Sequence, residues 1–390
     1  MLKKISGIFK ANKFLFFIYE YFFQRKINNY FGVDYSCRAL FVYSTYHFKR
    51  GAYIGHSNYQ ESMVIAKVLD SLGYIVDVVN NNSEQIIDYD QYDLIIGEGL
   101  PLYNAIRLGT RARKIYYATG SHPWQCTEAS LRKLLEFYRR HNIFCDESLR
   151  LQDYRWGLAA SSADAVICIG NQHTLSTFEA RGVSRIYPLK PTFHQNFEYI
   201  PDLEPNDISS KRRTALWFGS YGLLHKGLDI TLEAFRQRPD WNLIVCGRTD
   251  VETQLISALD IKEYKNIEVR GFVNVAGDDF QEIASRALYV ILPSSSEGIA
   301  TSVITCMGRS GMIPLVTKEC GVDLEHMGVE IKGQTVEDIL DVLDLCDLLS
   351  TEEITVMAKN AHRTANNEYT LVNFQDHFKK ALVESLGQHV

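Results

Sequence analysis

The sequence predicts an α/β protein made of two doubly wound domains in tandem. Three observations carry that expectation. Short apolar runs alternate with stretches of helical period from residue 39 to residue 316, the mark of strand–helix–strand units and parallel sheets. The alternation lapses once, between Pro188 and Arg213, in a proline-bearing stretch with few apolar residues. A chain of 390 residues, 46% hydrophobic and 23% charged, is also long enough for two cores of ordinary size.

Taken in order, residues 39–43 read as the first strand, and a polar, glycine-bearing loop runs to Asn58. Val64, Ile65, Val68, Leu69 and Leu72 then recur at helical spacing, Gly73 ends the helix, and residues 75–79 form the next strand. Strands at 92–96, 114–118 and 165–169 continue the series, each followed by glycine and polar residues. A long helical region, about 127–161, is expected between the last two, carrying Leu131, Leu134, Leu135 and Tyr138. Pro188, Pro191, Pro201 and Pro205 mark the change of texture, with the interdomain linker at 201–213. The second series has strands at 214–218, 241–245, 266–270, 288–292 and 313–316. Its first helix holds Ile230, Leu232, Ala234 and Phe235 and ends before Pro239. A closing helix with Leu371, Phe374, Phe378, Ala381 and Leu382 on one face follows a polar break at Asn366 and Asn367. The expected divisions are a basic aromatic segment (1–35), a first domain (36–200), the linker (201–213), a second domain (214–365) and a terminal helix (366–390). A ligand is expected at the strand C-termini, in the cleft between the domains.

Composition narrows the function. A net charge of −6 argues against a nucleic-acid partner, since phosphate backbones are met by basic surfaces. The eight cysteines are scattered without a C-x-x-C pair or zinc spacing, which reads as buried free thiols in a reducing cytoplasm. The first thirty residues stand apart: Lys3, Lys4, Lys10, Lys13, Arg25 and Lys26 surround the aromatic run 14–23, whose one acid is Glu20. That run is too short to span a bilayer. Residues 1–30 either lie on an anionic membrane surface, on the inner face of the cell membrane, or pack on the body of the protein.

The most informative stretch is Pro293-Ser-Ser-Ser-Glu297-Gly298-Ile299-Ala300-Thr301, between the strands at 288–292 and 313–316. A strand that turns through a glycine into a helix offers free N–H groups and a positive dipole end, a site for an anion such as phosphate. The amides of Ile299, Ala300 and Thr301 are expected to point at it, with Gly298 allowing close approach. Glu297 is otherwise an N-cap or first-turn acid.

Together with Gly219-x6-Lys226-Gly227 and Ser296-Glu297-Gly298, this layout resembles the GT-B glycosyltransferases, and more closely the large retaining group called family four. The resemblance covers residues 214–323 and, by element order and short motifs, 38–200. It implies two tandem Rossmann-like domains (the GT-B fold) with an interdomain cleft, a nucleotide-diphosphate-sugar donor, a glycan or lipid-linked acceptor, and retention at the anomeric carbon. No metal is expected, since no cluster of metal-ligating residues appears, and no cofactor beyond the nucleotide-sugar co-substrate. Lys226 is implied to meet the donor diphosphate beside Gly219, and Glu297 to face the donor sugar. His122, in Ala118-Thr-Gly-Ser-His122, matches a strand-end histidine placed near the reacting sugar; a structural contact before Pro123-Trp124 is the other reading. Two positions depart from the pattern: Ser220 stands where an arginine is usual, and Thr305 where a second glutamate binds the ribose. Gly55 and His56 occupy the place of the family's glycine-rich loop, and Asn171 that of a cleft-lining residue, although Gly170-Asn171 is also an ordinary turn. A sugar-nucleotide epimerase, a phosphorylase and a non-catalytic nucleotide-sugar-binding subunit remain alternatives on the same fold.

Overall fold

The computed structural model describes residues 25–49, 57–193, 203–261 and 264–387. The first sheet is built from β1 (Cys37–Tyr43), β2 (Tyr74–Asn80), β3 (Leu94–Gly97), β4 (Arg113–Ala118), β5 (Ala165–Ile169) and β6 (Ile186–Leu189). Helices α1 (Ser57–Ser71), α2 (Leu100–Arg107), α3 (Pro123–His141), α4 (Tyr154–Ser162) and α5 (Gln172–Glu179) connect them. All pairings are parallel and the order is β2-β1-β3-β4-β5-β6. The chain therefore reverses its direction of growth between β1 and β3, and a crevice opens at the C-terminal ends of these strands.

The second sheet comprises β7 (Thr214–Phe218), β8 (Asn242–Cys246), β9 (Ile267–Gly271), β10 (Tyr289–Leu292), β11 (Ile313–Val316) and β12 (Val329–Glu330). Its helices are α6 (Pro205–Lys211), α7 (Leu228–Gln237), α8 (Thr253–Leu259), α9 (Asp278–Arg286), α10 (Thr301–Ser310), α11 (Val336–Leu348) and α12 (Thr351–Glu368). The order β9-β8-β7-β10-β11-β12 is again fully parallel. Its switch point lies between β7 and β10, the strands that deliver Gly219 and Pro293.

The last helix, α13 (Leu371–Leu386), leaves the second domain and packs on α1, β5 and β6 of the first. Its Phe378 ring meets Tyr117 edge-on at 6.3 Å, and its end is tied down where Arg185 donates to the Ser385 carbonyl at 2.9 Å. Phe193, 1% exposed, approaches α10 where Gly308 lacks a side chain; a Cβ there would lie 2.2 Å from the ring. One apolar cluster consequently runs through both domains, and a second fills the other face of the first sheet.

Several local expectations are corrected. The helical region at 127–161 is two helices: Asn142, left-handed at φ 52°, ends α3, and an irregular loop precedes α4, which Asp153 caps. Of its four apolar markers only Leu134 is buried; Leu131, Leu135 and Tyr138 are exposed. Strand β6 contains Pro188 on the sheet edge, where a missing N–H costs no ladder bond. Helix α6 lies in the stretch read as linker, and Asn366 and Asn367 sit in the last turn of α12. Seven cysteines are buried free thiols, whereas Cys37 is exposed. Among the described residues no helix is long and apolar enough to cross a membrane.

Most of the basic aromatic segment lies outside the described residues; its end does not. Ile27 exchanges both backbone hydrogen bonds with Val78 at 2.8 Å, closing the edge of β2. Lys26 pairs with the buried Asp77 at 3.2 Å and donates to Tyr92 at 2.8 Å. This one basic residue is thereby committed to the body of the first domain.

Candidate active site

Each switch point contributes one wall of the cleft. Gly219 follows β7, and its N–H donates to the Cys246 carbonyl at 3.0 Å. A Cβ at Gly219 would meet Trp217 at 2.6 Å and the Lys226 Cδ at 3.0 Å, so the glycine leaves a channel for the lysine stem. The Lys226 carbonyl accepts from Trp217 Nε1 at 3.3 Å, and its N–H donates to Gly222. The adjacent His225 is fully buried and donates through Nε2 to the Ser296 carbonyl at 2.7 Å. Burial pushes its imidazole pKa down to about 3, with the Arg150 charge adding to the effect. His225 is thus a neutral strut joining the lysine loop to the glutamate loop. Ser295 completes the joint, its N–H and hydroxyl both donating to the His225 carbonyl, at 2.9 and 2.8 Å.

Lys226 and Glu297 form an ion pair, and Ser294 donates to the same carboxylate at 2.9 Å. A second cation completes the group: Arg150, from the loop before α4, lies 3.4 Å from Glu297. Burial alone would raise the Glu297 pKa, but Lys226 and then Arg150 more than offset it and hold the carboxyl well below the usual range. Sequence reasoning missed Arg150 because its segment was read as helix. The signals were Arg139-Arg140-His141 followed by Asn142, a basic last turn and a left-handed stop.

The helix N-terminus is present with one change. The Ala300 N–H donates to the Cys320 carbonyl at 2.9 Å and is not available to a ligand. Thr301 and Ser302, the first two residues of α10, line the groove and have N–H groups with no acceptor among the described residues. Gly298 is one point of close contact between the domains. A Cβ there would sit 2.5 Å from the Ile169 carbonyl and 2.9 Å from that of Thr119. Its carbonyl accepts from Thr174 at 3.1 Å, while Ser121 N–H donates to the Glu297 carbonyl at 3.2 Å.

Two cavities meet at Glu297 and Arg150. A groove of about 680 Å³ runs between the domains past Gly219, Ser220, Lys226, Gly298, Ile299, Ala300, Thr301 and Thr305 to Phe272 and Val275. Ser220 is an exposed part of its wall, and Thr305 lines it with its hydroxyl donating to Thr301 at 2.7 Å. A smaller polar chamber of about 260 Å³ lies on the first-domain side, lined by Glu98, Tyr116, Gln152, Trp156, Arg150 and Glu297. Glu98 was not anticipated either, although a carboxylate between Gly97 and Gly99 directly after an apolar strand was the signal. Both glycines have positive φ, 141° and 91°, and a Cβ at Gly97 would lie 2.0 Å from the Val42 carbonyl. Burial raises the Glu98 carboxyl pKa to about 7, against one hydrogen bond from Asn81 at 3.2 Å. A larger groove of about 730 Å³ beside α3 does not touch Glu297. Among its cations, Arg140 is paired with Glu233 and Lys133 with Glu136.

The remaining expected site residues fall elsewhere. His122 is completely buried; Nδ1 accepts from the Trp124 N–H at 3.2 Å, capping α3, and Nε2 bonds Ser161 at 3.0 Å. Burial pushes its pKa down to about 4, so it is a neutral structural cap that lines neither cavity. Asn171 caps α5 by accepting from the Thr174 N–H and donates across the domain boundary to Asp323 at 2.8 Å. Gly55 and His56 lie outside the described residues.

Comparison with known proteins agrees with this layout. Residues 203–327 match the model of the family described as glycosyl transferases group 1. That segment is similar to the group 1 glycosyltransferases. The chain as a whole has the GT-B fold. It aligns with Anabaena HepE, solved with UDP and glucose, over 89% of this chain and 99% of that one, at 16% identity and a TM-score of 0.55. Sucrose-phosphate synthase from Thermosynechococcus elongatus aligns over 90% and 99%, at 13% identity and a TM-score of 0.62. A glycosyltransferase from Rickettsia africae ESF-5 aligns over 91% and 100%, at 14% identity and a TM-score of 0.52. No curated protein sequence matches the chain. Within the matched segment the motif residues Gly219, Lys226, Glu297 and Gly298 stand together on one wall, with Arg150 entering from the other.

Proposed function

We propose that this chain transfers a sugar from a nucleotide-diphosphate donor to an acceptor hydroxyl, with retention at the anomeric carbon. The observation that carries the proposal is the meeting of Lys226, Glu297 and the open N-terminus of α10 at the junction of a long groove and a small polar chamber. The groove accommodates an extended nucleotide. Its exposed aromatic end at Phe272 suits the base, and its middle, at Lys226 and the Thr301 and Ser302 amides, suits the diphosphate. The sugar then lies against Glu297, and the acceptor approaches from the chamber.

In this mechanism the glycosidic C–O bond breaks with its electron pair going to the phosphate oxygen, through an oxocarbenium-like state. The acceptor oxygen bonds to the same face, and its proton passes to the departing phosphate. Lys226 and the helix N-terminus stabilise the leaving charge, so no metal or cofactor is invoked. The proposed setting is synthesis of a polysaccharide or glycolipid, with a glycan or lipid-linked acceptor. Residues 1–24 are proposed to hold the enzyme on the cytoplasmic membrane face; unchanged liposome binding after their deletion would remove that part.

A thermal-shift screen against UDP-, GDP-, ADP- and CDP-sugars, with and without EDTA, tests the reading. A ligand at 100 times its Kd adds about 2.7 kcal/mol, a clear shift for one donor and insensitive to EDTA. No shift with any donor would contradict the proposal, and donor conversion without acceptor would favour an epimerase.

A further inference from the structure

We infer that Arg150 is the second cation of the donor site, delivered by the first domain to bind the diphosphate beside Lys226. This rests on the glycosyl-transfer reading above and assigns a residue that the second domain's motifs do not contain. The backbone of Arg150 is fixed on α3: its N–H donates to Ser130 at 2.8 Å, and its carbonyl accepts from Cys126 Sγ at 3.7 Å. Its side chain then leaves the first domain and lies along the lysine loop of the second. A Cβ at Gly222, where φ is 87°, would lie 2.5 Å from the Arg150 Cδ and 2.7 Å from Cγ. The guanidinium ends against the carboxylate that Lys226 also holds, and it lines both the groove and the chamber.

Charge counting gives the reason such a residue is needed. Lys226 and Glu297 cancel, and Arg248 on the groove wall is paired with Asp250 at 2.9 Å, so a diphosphate with two ionised oxygens would meet neutral pairs and a helix end worth roughly half a charge. Ser220, on the groove wall, adds none. With Arg150 the group carries one net positive charge where the leaving phosphate gains negative charge. Arg150 stays protonated throughout; its part is electrostatic, and the electron pair and proton move as described above.

The loops carrying the two cations are also clamped together. The Glu252 carboxylate accepts from the N–H groups of Gly222 at 2.6 Å and Leu223 at 2.9 Å, and from the Ser148 hydroxyl. Tyr221 donates to the Glu147 carbonyl at 2.9 Å. Both cations therefore face the groove together only when the domains are docked.

The test uses the full chain and whichever of UDP, GDP, ADP and CDP the wild type binds, each compared with its nucleoside by calorimetry. Arg150→Ala is expected to weaken diphosphate binding roughly 10–100-fold, the worth of a charged hydrogen bond, while nucleoside affinity stays within about twofold. Its kcat for nucleotide release should fall on the order of 10²-fold, and Arg150→Ala/Ser220→Arg should recover most of both losses. Equal loss of diphosphate and nucleoside binding without recovery would make Arg150 an interdomain packing residue and overturn the inference. Unchanged diphosphate affinity and turnover would overturn it too. A wild type that binds none of the four diphosphates would instead overturn the glycosyl-transfer reading, and this inference with it.

Discussion

Glu297 and Glu98 are two buried acids with opposite neighbours. Glu297 is held ionised by Lys226 and Arg150, whereas Glu98 has, among the described residues, only Asn81 and a pKa raised by burial to about 7. Between the ordinary value of 4.5 and 7, folded Glu98 keeps a proton that the unfolded chain has released. Its effect on stability therefore becomes less favourable as pH rises through that window, and it is constant outside it. Glu98→Gln should gain stability relative to wild type between pH 5 and pH 8, measured by urea unfolding at each pH. A difference independent of pH would contradict the assigned pKa. Taking the difference matters because buried His122, with a pKa lowered to about 4, acts oppositely and loses stability as pH falls below 6.5. His122→Ala should cost about 1–2 kcal/mol through the lost cap and leave nucleotide affinity unchanged. A selective loss of donor affinity at full stability would restore His122 to the site. A strand-end motif could not show this, because the direction in which an imidazole points depends on Ser161 and Trp124.

The glycines at the domain seam are set by close approach between elements. A Cβ at Gly298 would press on the Ile169 and Thr119 carbonyls, while one at Gly120 would find its nearest neighbour at 3.8 Å. Gly298→Ala should lower stability by about 1–3 kcal/mol, the usual cost of overpacking, and Gly120→Ala should stay within about 0.5 kcal/mol. Thermal unfolding of the pair checks the seam, and equal effects would contradict it. The strands leading to Gly219 and Glu297 were legible in the sequence because buried parallel strands are short, apolar and bounded by turns. The loop carrying Arg150 was not. Leu131, Leu135 and Tyr138 are exposed, so their helical spacing said nothing about where α3 stops or how the chain returns to the cleft. Strand β6 was missed for a related reason: Pro188 argues against a strand unless the strand is known to be an edge.

At the scale of the molecule, two sheets present their switch points to one cleft, and α13 returns to the first domain to tie them together. Such long-range docking leaves little local trace, so the reach of α13 could not be read from its own amphipathic face. The second-domain half of the site could be read, since Lys226, Glu297 and Gly298 fall within short motifs. The first-domain half left only local signals, the stop at Asn142 and the acid between Gly97 and Gly99, and these connect to the site only when the cleft is assembled. Catalysis should therefore depend on the Lys226–Glu297 pair, which stands where the two walls meet. The most direct check is the rate of nucleoside-diphosphate release from the donor found by screening, for wild type, Lys226→Ala and Glu297→Gln. The expected result is release by the wild type and a loss on the order of 10²–10³-fold in Lys226→Ala, as for removal of one transition-state donor, with a comparable loss in Glu297→Gln. Release that persists undiminished in both variants would place the chemistry elsewhere.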